Sequence, residues 1–256
     1  MSTPLTALGY LAVLLLLLVA LPLQALLALA TAPFDRNRWA PGRFLRVVGV
    51  LMARCYPPWR LRVEGRWPEG GHAYVVVANH QSMLDILLLS HIPKEMKWVG
   101  KEELFRIPWI GWMLRLTGDI AVKRGDADSG TEALDKARAY LSRGMSVMFF
   151  PEGTRSKTGK LLPFKSGAFR LAIDAGVPVL PVAVQGTAEG MPKGSPWVRP
   201  CDAWARILEP VPTAGLGPDD TTKLRDQVRA RIAAAVPGAA DPAPPSRPAG
   251  EKAPAH

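Results

Sequence analysis

The chain has 256 residues, 48% of them hydrophobic, enough for one sizeable domain with a terminal appendage. Its 32 Lys and Arg against 22 Asp and Glu give a formal net charge of +10, which favours anionic partners such as nucleic acid, anionic lipid or phosphorylated substrates. Only Cys55 and Cys201 are present, far apart and in no spacing that frames a disulfide scaffold or a zinc site, which argues against redox and metal chemistry.

The N-terminus chooses among the anionic partners. No charged side chain occurs from Ser2 to Phe34, and Leu11 to Leu21 is almost continuous Leu, Val and Ala. A helix over this run is long enough to cross a hydrocarbon core of about 30 Å. Ala28-Leu29-Ala30 has the small-residue pattern of a signal-peptide cleavage site, but no Lys or Arg precedes the apolar run and the run is too long for a signal. Pro22 allows either one kinked span or a helix that enters and turns back. Arg36, Arg38, Arg43 and Arg46 crowd the C-terminal side, at headgroup level, which by the positive-inside bias sets the rest of the chain in the cytoplasm, on the inner face of the cell membrane. Val47 to Ala53, apolar and bracketed by Arg46 and Arg54, suits the interface itself.

Beyond residue 54 the pattern is globular. Leu61 to Glu64, Tyr74 to Ala78, Ile120 to Val122, Ser146 to Phe150, Val177 to Val184 and Ala205 to Leu208 read as strands, several continuously apolar as in a sheet buried on both faces. Helices are predicted at Ser82 to Ser90, Glu132 to Leu141 and Lys165 to Asp174. A last surface helix carries Leu224, Val228 and Ile232 behind a cap at Asp219, Asp220 and Thr221. Strand and helix alternate, so the fold class is α/β, a largely buried mixed sheet flanked by helices. Met96 to Leu116 combines Trp98, Phe105, Trp109 and Trp112 with Lys101, Arg106 and Arg115, which suits either a second membrane contact or buried core with a basic rim. From Pro237 to His256 the chain is Ala, Pro and Gly with scattered charge, a composition that does not order.

Two clusters carry chemistry. Asn79-His80-Gln81-Ser82-Met83-Leu84-Asp85 follows the strand at Tyr74 to Ala78 and leads into an apolar helix. Within one continuous helix His80 and Asp85 would point about 140° apart, so they pair only if His80 precedes the helix. Asp85 would then accept from one imidazole nitrogen and leave the other as a base. Ser82 is a weak nucleophile candidate, because the chain has no Gly-x-Ser-x-Gly elbow. The second cluster, Phe150-Pro151-Glu152-Gly153-Thr154-Arg155-Ser156, also ends a strand, and a Gly-Thr-Arg turn offers backbone N–H groups, a hydroxyl and a guanidinium suited to phosphate. A nucleotide P-loop does not fit, since five residues separate Gly153 from Gly159-Lys160 and Leu161 stands where Ser or Thr is needed.

These two clusters, with Gly118-Asp119-Ile120-Ala121-Val122-Lys123-Arg124 and Val177-Pro178-Val179-Leu180-Pro181-Val182, resemble the four motif blocks of the glycerolipid acyltransferases, in particular bacterial 1-acyl-glycerol-3-phosphate acyltransferases. Ala121 departs from the aromatic or bulky aliphatic residue usual there. The resemblance implies that His80 is the general base and Asp85 its orienting partner. It places acceptor and phosphate binding at Asn79, Gly118, Arg124, Glu152, Gly153, Thr154 and Arg155, and acyl-donor binding around Pro181. It implies acyl transfer from acyl-CoA or acyl-carrier protein to lysophosphatidate, with membrane lipid as partner and no cofactor, metal or nucleic acid. Residues 1–54 then read as a membrane anchor, 55–236 as the catalytic domain and 237–256 as the disordered tail. The rival expectations are acylation of another lyso-lipid, such as a lyso-ornithine lipid, lipid hydrolysis, and non-catalytic binding to membrane or nucleic acid.

Overall fold

A computed structural model describes residues 3–156, 159–195 and 197–238; of the predicted tail, everything past residue 238 lies outside the described residues. The apolar N-terminal run forms one helix, α1 (Thr3–Thr31), continuous through Pro22. After a turn the chain returns as α2 (Trp39–Arg54). The two run antiparallel, with Gly9 against Cys55 O at the far end of the hairpin and Ala20 and Val48 in a small core shared with Met113. The outer side of α1 leaves Leu11, Leu14, Leu15 and Leu18 exposed. By length and composition α1 is apolar enough to cross a membrane.

The strands are β1 (Trp59–Glu64), β2 (Val75–Ala78), β3 (Lys97–Lys101), β4 (Ile120–Val122), β5 (Val147–Phe149), β6 (Val179–Gln185) and β7 (Cys201–Ile207). They form one sheet in the order β1-β7-β6-β2-β5-β3-β4. The five strands from β6 to β4 are mutually parallel. β7 runs antiparallel to β6, and β1 joins it as the far edge. Six strands fall on predicted runs. The exception is β3, whose sequence Lys-Trp-Val-Gly-Lys shows no apolar alternation because Lys97 is buried by specific partners.

Helices cover both faces. Between β2 and β3 lies α3 (Leu84–Leu89), followed after β3 by α4 (Glu102–Arg106) and α5 (Ile110–Thr117). Then come α6 (Ala127–Leu141), α7 (Gly167–Asp174), the short α8 (Thr187–Gly190) and α9 (Thr221–Ala235). Alternate residues of the central strand serve two cores. Val75 and Val77 meet α6, α7 and α9 through Ala137, Phe169 and Val228, while Val76 and Ala78 meet α3 through Leu84 and Leu88. The predicted cap of α9 is built differently: Asp220 accepts from Gly217 N at 2.9 Å, closing the 3-10 turn Pro218–Asp220 that precedes the helix.

The expectations for Arg46 and for the apolar run behind it change. Arg46 does not meet headgroups: it is buried and grips Asp119 through Nη2 at 2.8 and 2.6 Å. Beside it Lys97, fully buried, donates to Glu95 Oε1 at 3.2 Å and to the carbonyls of Arg38 and Thr117 at 3.0 and 2.8 Å. Burial raises the Glu95 pKa and lowers that of Lys97, each opposed by the charges facing it. This network ties α2 to the starts of β3 and β4, and the backbone approaches so closely that a Cβ on Gly42 would overlap the Glu95 carboxylate. Val47 to Ala53 is accordingly part of α2, with Val48 and Ala53 packed inward and Val47 and Leu51 outward. The stretch from Met96 to Leu116 divides: Trp98 and Phe105 are core, while Trp109 and Trp112 stack at 5.4 Å on the surface.

Candidate active site

Because β2, β5, β6 and β4 are parallel, the loops that follow them open on one end of the sheet, where ligands of open α/β sheets bind. His80 lies in the loop after the central strand β2. Two residues of extended chain separate it from the turn that begins α3, so the pair is not confined to helical spacing. His80 Nδ1 and Asp85 Oδ2 are 2.6 Å apart. Asp85 Oδ2 also accepts from Gln81 N at 2.7 Å and Ser82 N at 3.0 Å, and Oδ1 accepts from Thr187 Oγ1. With three other donors converging on a fully buried carboxylate, the shared proton belongs on Nδ1, which leaves a lone pair on Nε2. Among the described residues Nε2 has no hydrogen-bond partner. The ring stacks on Phe150 with centroids 4.1 Å apart and is 7% exposed, so one face is covered while the Nε2 lone pair is unshared among the described residues.

The loop after β5 holds the His80 backbone from behind. Glu152 Oε1 accepts from His80 N at 2.8 Å, and Oε2 accepts from Leu162 N at 3.1 Å. Its carboxylate is therefore committed to backbone within the fold rather than directed at a ligand. Burial pushes the Glu152 pKa up to about 7, against the pull of those two N–H donors. Ser156 N closes the loop onto His80 O at 2.9 Å. Gly153, at φ 67°, takes the left-handed turn beneath the Lys165 side chain. Thr154 is exposed and Arg155 half-buried. Arg124, two residues past β4, feels the Arg155 guanidinium: burial lowers its pKa, Glu103 opposes and Arg155 adds to the lowering. Two guanidinium groups thus lie near enough to repel each other at the end of the sheet that carries His80, an arrangement suited to a dianionic phosphate.

Other predicted residues fall elsewhere. Asn79 is turned into the sheet: its amide exchanges two hydrogen bonds of 2.8 Å with the backbone of Val184, extending the β2–β6 pairing by one rung just before His80. Gly118 lies ahead of β4, at the opposite end of the sheet from Arg124. There it ends α5 at φ 74°, where a Cβ would overlap the Tyr140 hydroxyl. Pro181 pairs with Val77 in the middle of the sheet and is buried, so it lies within the fold rather than in an open donor site. Ser82 is fully buried, its hydroxyl donating to Met191 O at 2.6 Å and accepting from Leu84 N at 3.1 Å, which leaves it neither exposed nor activated as a nucleophile. Thr187 is invisible to sequence reasoning, since a Gly-Thr pair after a strand carries no local sign that it reaches Asp85.

A family model described as Acyltransferase matches residues 60–185. A chloroplast 1-acyl-sn-glycerol-3-phosphate acyltransferase of Brassica napus is 40% identical over 166 residues, covering 63% of this chain and 47% of that protein. The alpha form of the same enzyme in Homo sapiens is 35% identical over 195 residues, 72% of this chain and 67% of that protein. The chain spans about half the length of the chloroplast relatives it matches. The crystal structure of the 1-acyl-sn-glycerophosphate acyltransferase PlsC from Thermotoga maritima superposes with a TM-score of 0.66 at 30% identity, covering 89% of this chain and 96% of that one.

Proposed function

Since the chain belongs to the 1-acyl-sn-glycerol-3-phosphate acyltransferase family, we propose that it moves a fatty acyl group from a thioester to the sn-2 hydroxyl of 1-acyl-glycerol-3-phosphate, giving phosphatidate. The observation that carries this reading is the His80–Asp85 pair, with Nδ1 held at 2.6 Å and Nε2 unpartnered among the described residues, at the same end of the sheet as Arg124 and Arg155.

In the reaction His80 Nε2 takes the proton of the acceptor hydroxyl as its oxygen attacks the thioester carbonyl carbon. Asp85 stabilises the imidazolium that forms and keeps the ring in register. The tetrahedral intermediate collapses with cleavage of the C–S bond, and the departing thiolate takes the proton from Nε2. No acyl-enzyme is formed. Arg124 and Arg155 hold the acceptor's phosphate, while Asn79 and Glu152 act behind the base, fixing the loop that presents it. The donor is acyl-CoA or acyl-carrier protein. The protein associates with membrane through α1 and α2, with the catalytic domain on the cytoplasmic side, where such donors are soluble.

Acyl transfer by the purified chain to a small set of lyso-lipids, with each donor type, tests the proposal. Turnover with lysophosphatidate well above that with lyso-lipids lacking the phosphomonoester is expected. Free fatty acid release without acceptor, or preference for an amino-acid lyso-lipid, would overturn it.

A further inference from the structure

An open cavity of about 610 Å³ lies at the edge of the sheet, where the loop between α1 and α2 meets α4, α5, α6 and the edge strand β4, and its lining includes none of His80, Asp85, Arg124 and Arg155. Six cations line it: Arg36, Arg38, Arg106, Arg115, Lys136 and Arg143. The lining carboxylates are Glu102 and Asp119, and both are engaged, Glu102 with Arg106 at 2.9 Å and Asp119 with the buried Arg46 at 2.6 Å. Lys136 pairs with Glu132 outside. Arg38 donates to Arg115 O at 2.6 Å, and Arg143 donates to Asn37 Oδ1 at 2.7 Å and stacks on Tyr140 at 4.8 Å. None of these contacts of Arg38 and Arg143 neutralises charge. Among the described residues Arg36, Arg38, Arg115 and Arg143 have no carboxylate partner, so four positive charges converge on one concave surface. Like charges repel, and a concave surface lined by one sign of charge attracts an ion of the other.

The exposed aromatic residues next in the chain to the lining arginines point to the anion's source. Phe34, Trp39 and Trp112, exposed at 75%, 52% and 48%, come from the same loop and helices, and Trp112 stands one turn before Arg115 on α5. Aromatic rings beside arginines match the headgroup layer of a bilayer, where apolar surface and phosphate lie within a few ångströms of each other. We propose that this cavity binds the phosphate of an anionic membrane phospholipid as a site separate from the acyl-transfer site. The inference rests on the membrane association put forward above. It adds a defined lipid contact that fixes how the hairpin and the β4 edge sit against the membrane surface.

The experiment uses the full chain and vesicles of phosphatidylcholine alone or mixed with phosphatidylglycerol, and reads the ratio of protein bound to the two. Arg36→Ala with Arg115→Ala removes two cations whose side chains make no hydrogen bond or ion pair among the described residues. At roughly fivefold in partition per basic residue near an anionic surface, the preference for the mixed vesicles should fall about 25-fold. Arg60→Ala with Arg231→Ala, the same charge change away from the cavity, should leave it nearly intact. Acyl transfer to detergent-dispersed lysophosphatidate should be unchanged in the Arg36 and Arg115 double variant, which keeps this test separate from that of the catalytic reading. Equal loss in the two double variants would overturn the site, leaving only diffuse attraction. A parent chain with no preference for the mixed vesicles, but stabilised against thermal unfolding by inorganic phosphate in a way that the Arg36 and Arg115 double variant loses, would overturn the lipid assignment and make free phosphate the occupant.

Discussion

Thr187→Val probes how the base is held. Thr187 is fully buried and its hydroxyl donates to Asp85 Oδ1; valine keeps the shape and deletes the donor. A hydrogen bond to a charged group is worth about 1.5–3 kcal/mol, and at ~1.36 kcal/mol per tenfold in rate the ceiling on the loss is about 10- to 150-fold in kcat. Oδ2 retains His80 Nδ1, Gln81 N and Ser82 N, so the ring stays seated and a fall of roughly ten- to thirtyfold is expected. The assay is initial rate against lysophosphatidate concentration, with thermal melting in parallel. Acceptor KM should stay constant and Thr187→Ser should restore most of kcat. In the Asp85→Asn background the same substitution should cost little, because the charge it supports is gone. A Thr187→Val enzyme with lowered melting temperature but kcat within about threefold of the parent would show that the contact serves folding alone.

His80→Ala should lower kcat by about 10²- to 10⁴-fold with little change in melting, and Asp85→Asn should be nearly as harmful; near-normal turnover in His80→Ala would remove the central assignment. Arg124→Ala and Arg155→Ala should each raise acceptor KM about ten- to a hundredfold, with partial rescue by Lys; an unchanged acceptor KM with a raised donor KM would reassign both to the donor. Glu152 gives a pH dependence. Its pKa is raised from 4.5 to about 7 in the folded chain, so its protonated form favours folding. That contribution is complete below about pH 4.5 and is lost as pH rises through 7, about 3 kcal/mol in all. Melting temperatures across this range should fall more steeply for the parent than for Glu152→Gln, and parallel curves would count against a buried Glu152.

What is legible in the sequence is local. The apolar runs of β2 and β5 and the loops that follow them stand within a few residues of the groups they position, so helix geometry states the condition for the His80–Asp85 pair, that His80 precede the helix, and the fold meets it. Residues whose partners are distant in the chain are not legible in this way. Arg46 reads as a headgroup cation because Asp119 is 73 positions away, and Lys97 hides β3 because two of its three acceptors are backbone carbonyls that no composition reveals. Thr187 is 102 positions from Asp85. Asn79 and Glu152 stand out as motif residues, but a motif does not tell a group that meets a ligand from one that steadies its neighbour. Only the hydrogen bonds to Val184, His80 and Leu162 do that.

The clasp between Arg46 and Asp119 also bears on the order in which the chain is made. Synthesis delivers the hairpin first, and Arg46 must wait until residue 119 has emerged before it meets its carboxylate. During that interval α2 carries on its inner side a guanidinium without the carboxylate that holds it in the finished fold. Final packing of α2 against the sheet is thus conditional on the chain beyond residue 119 having folded, so the hairpin and the domain behind it are completed together.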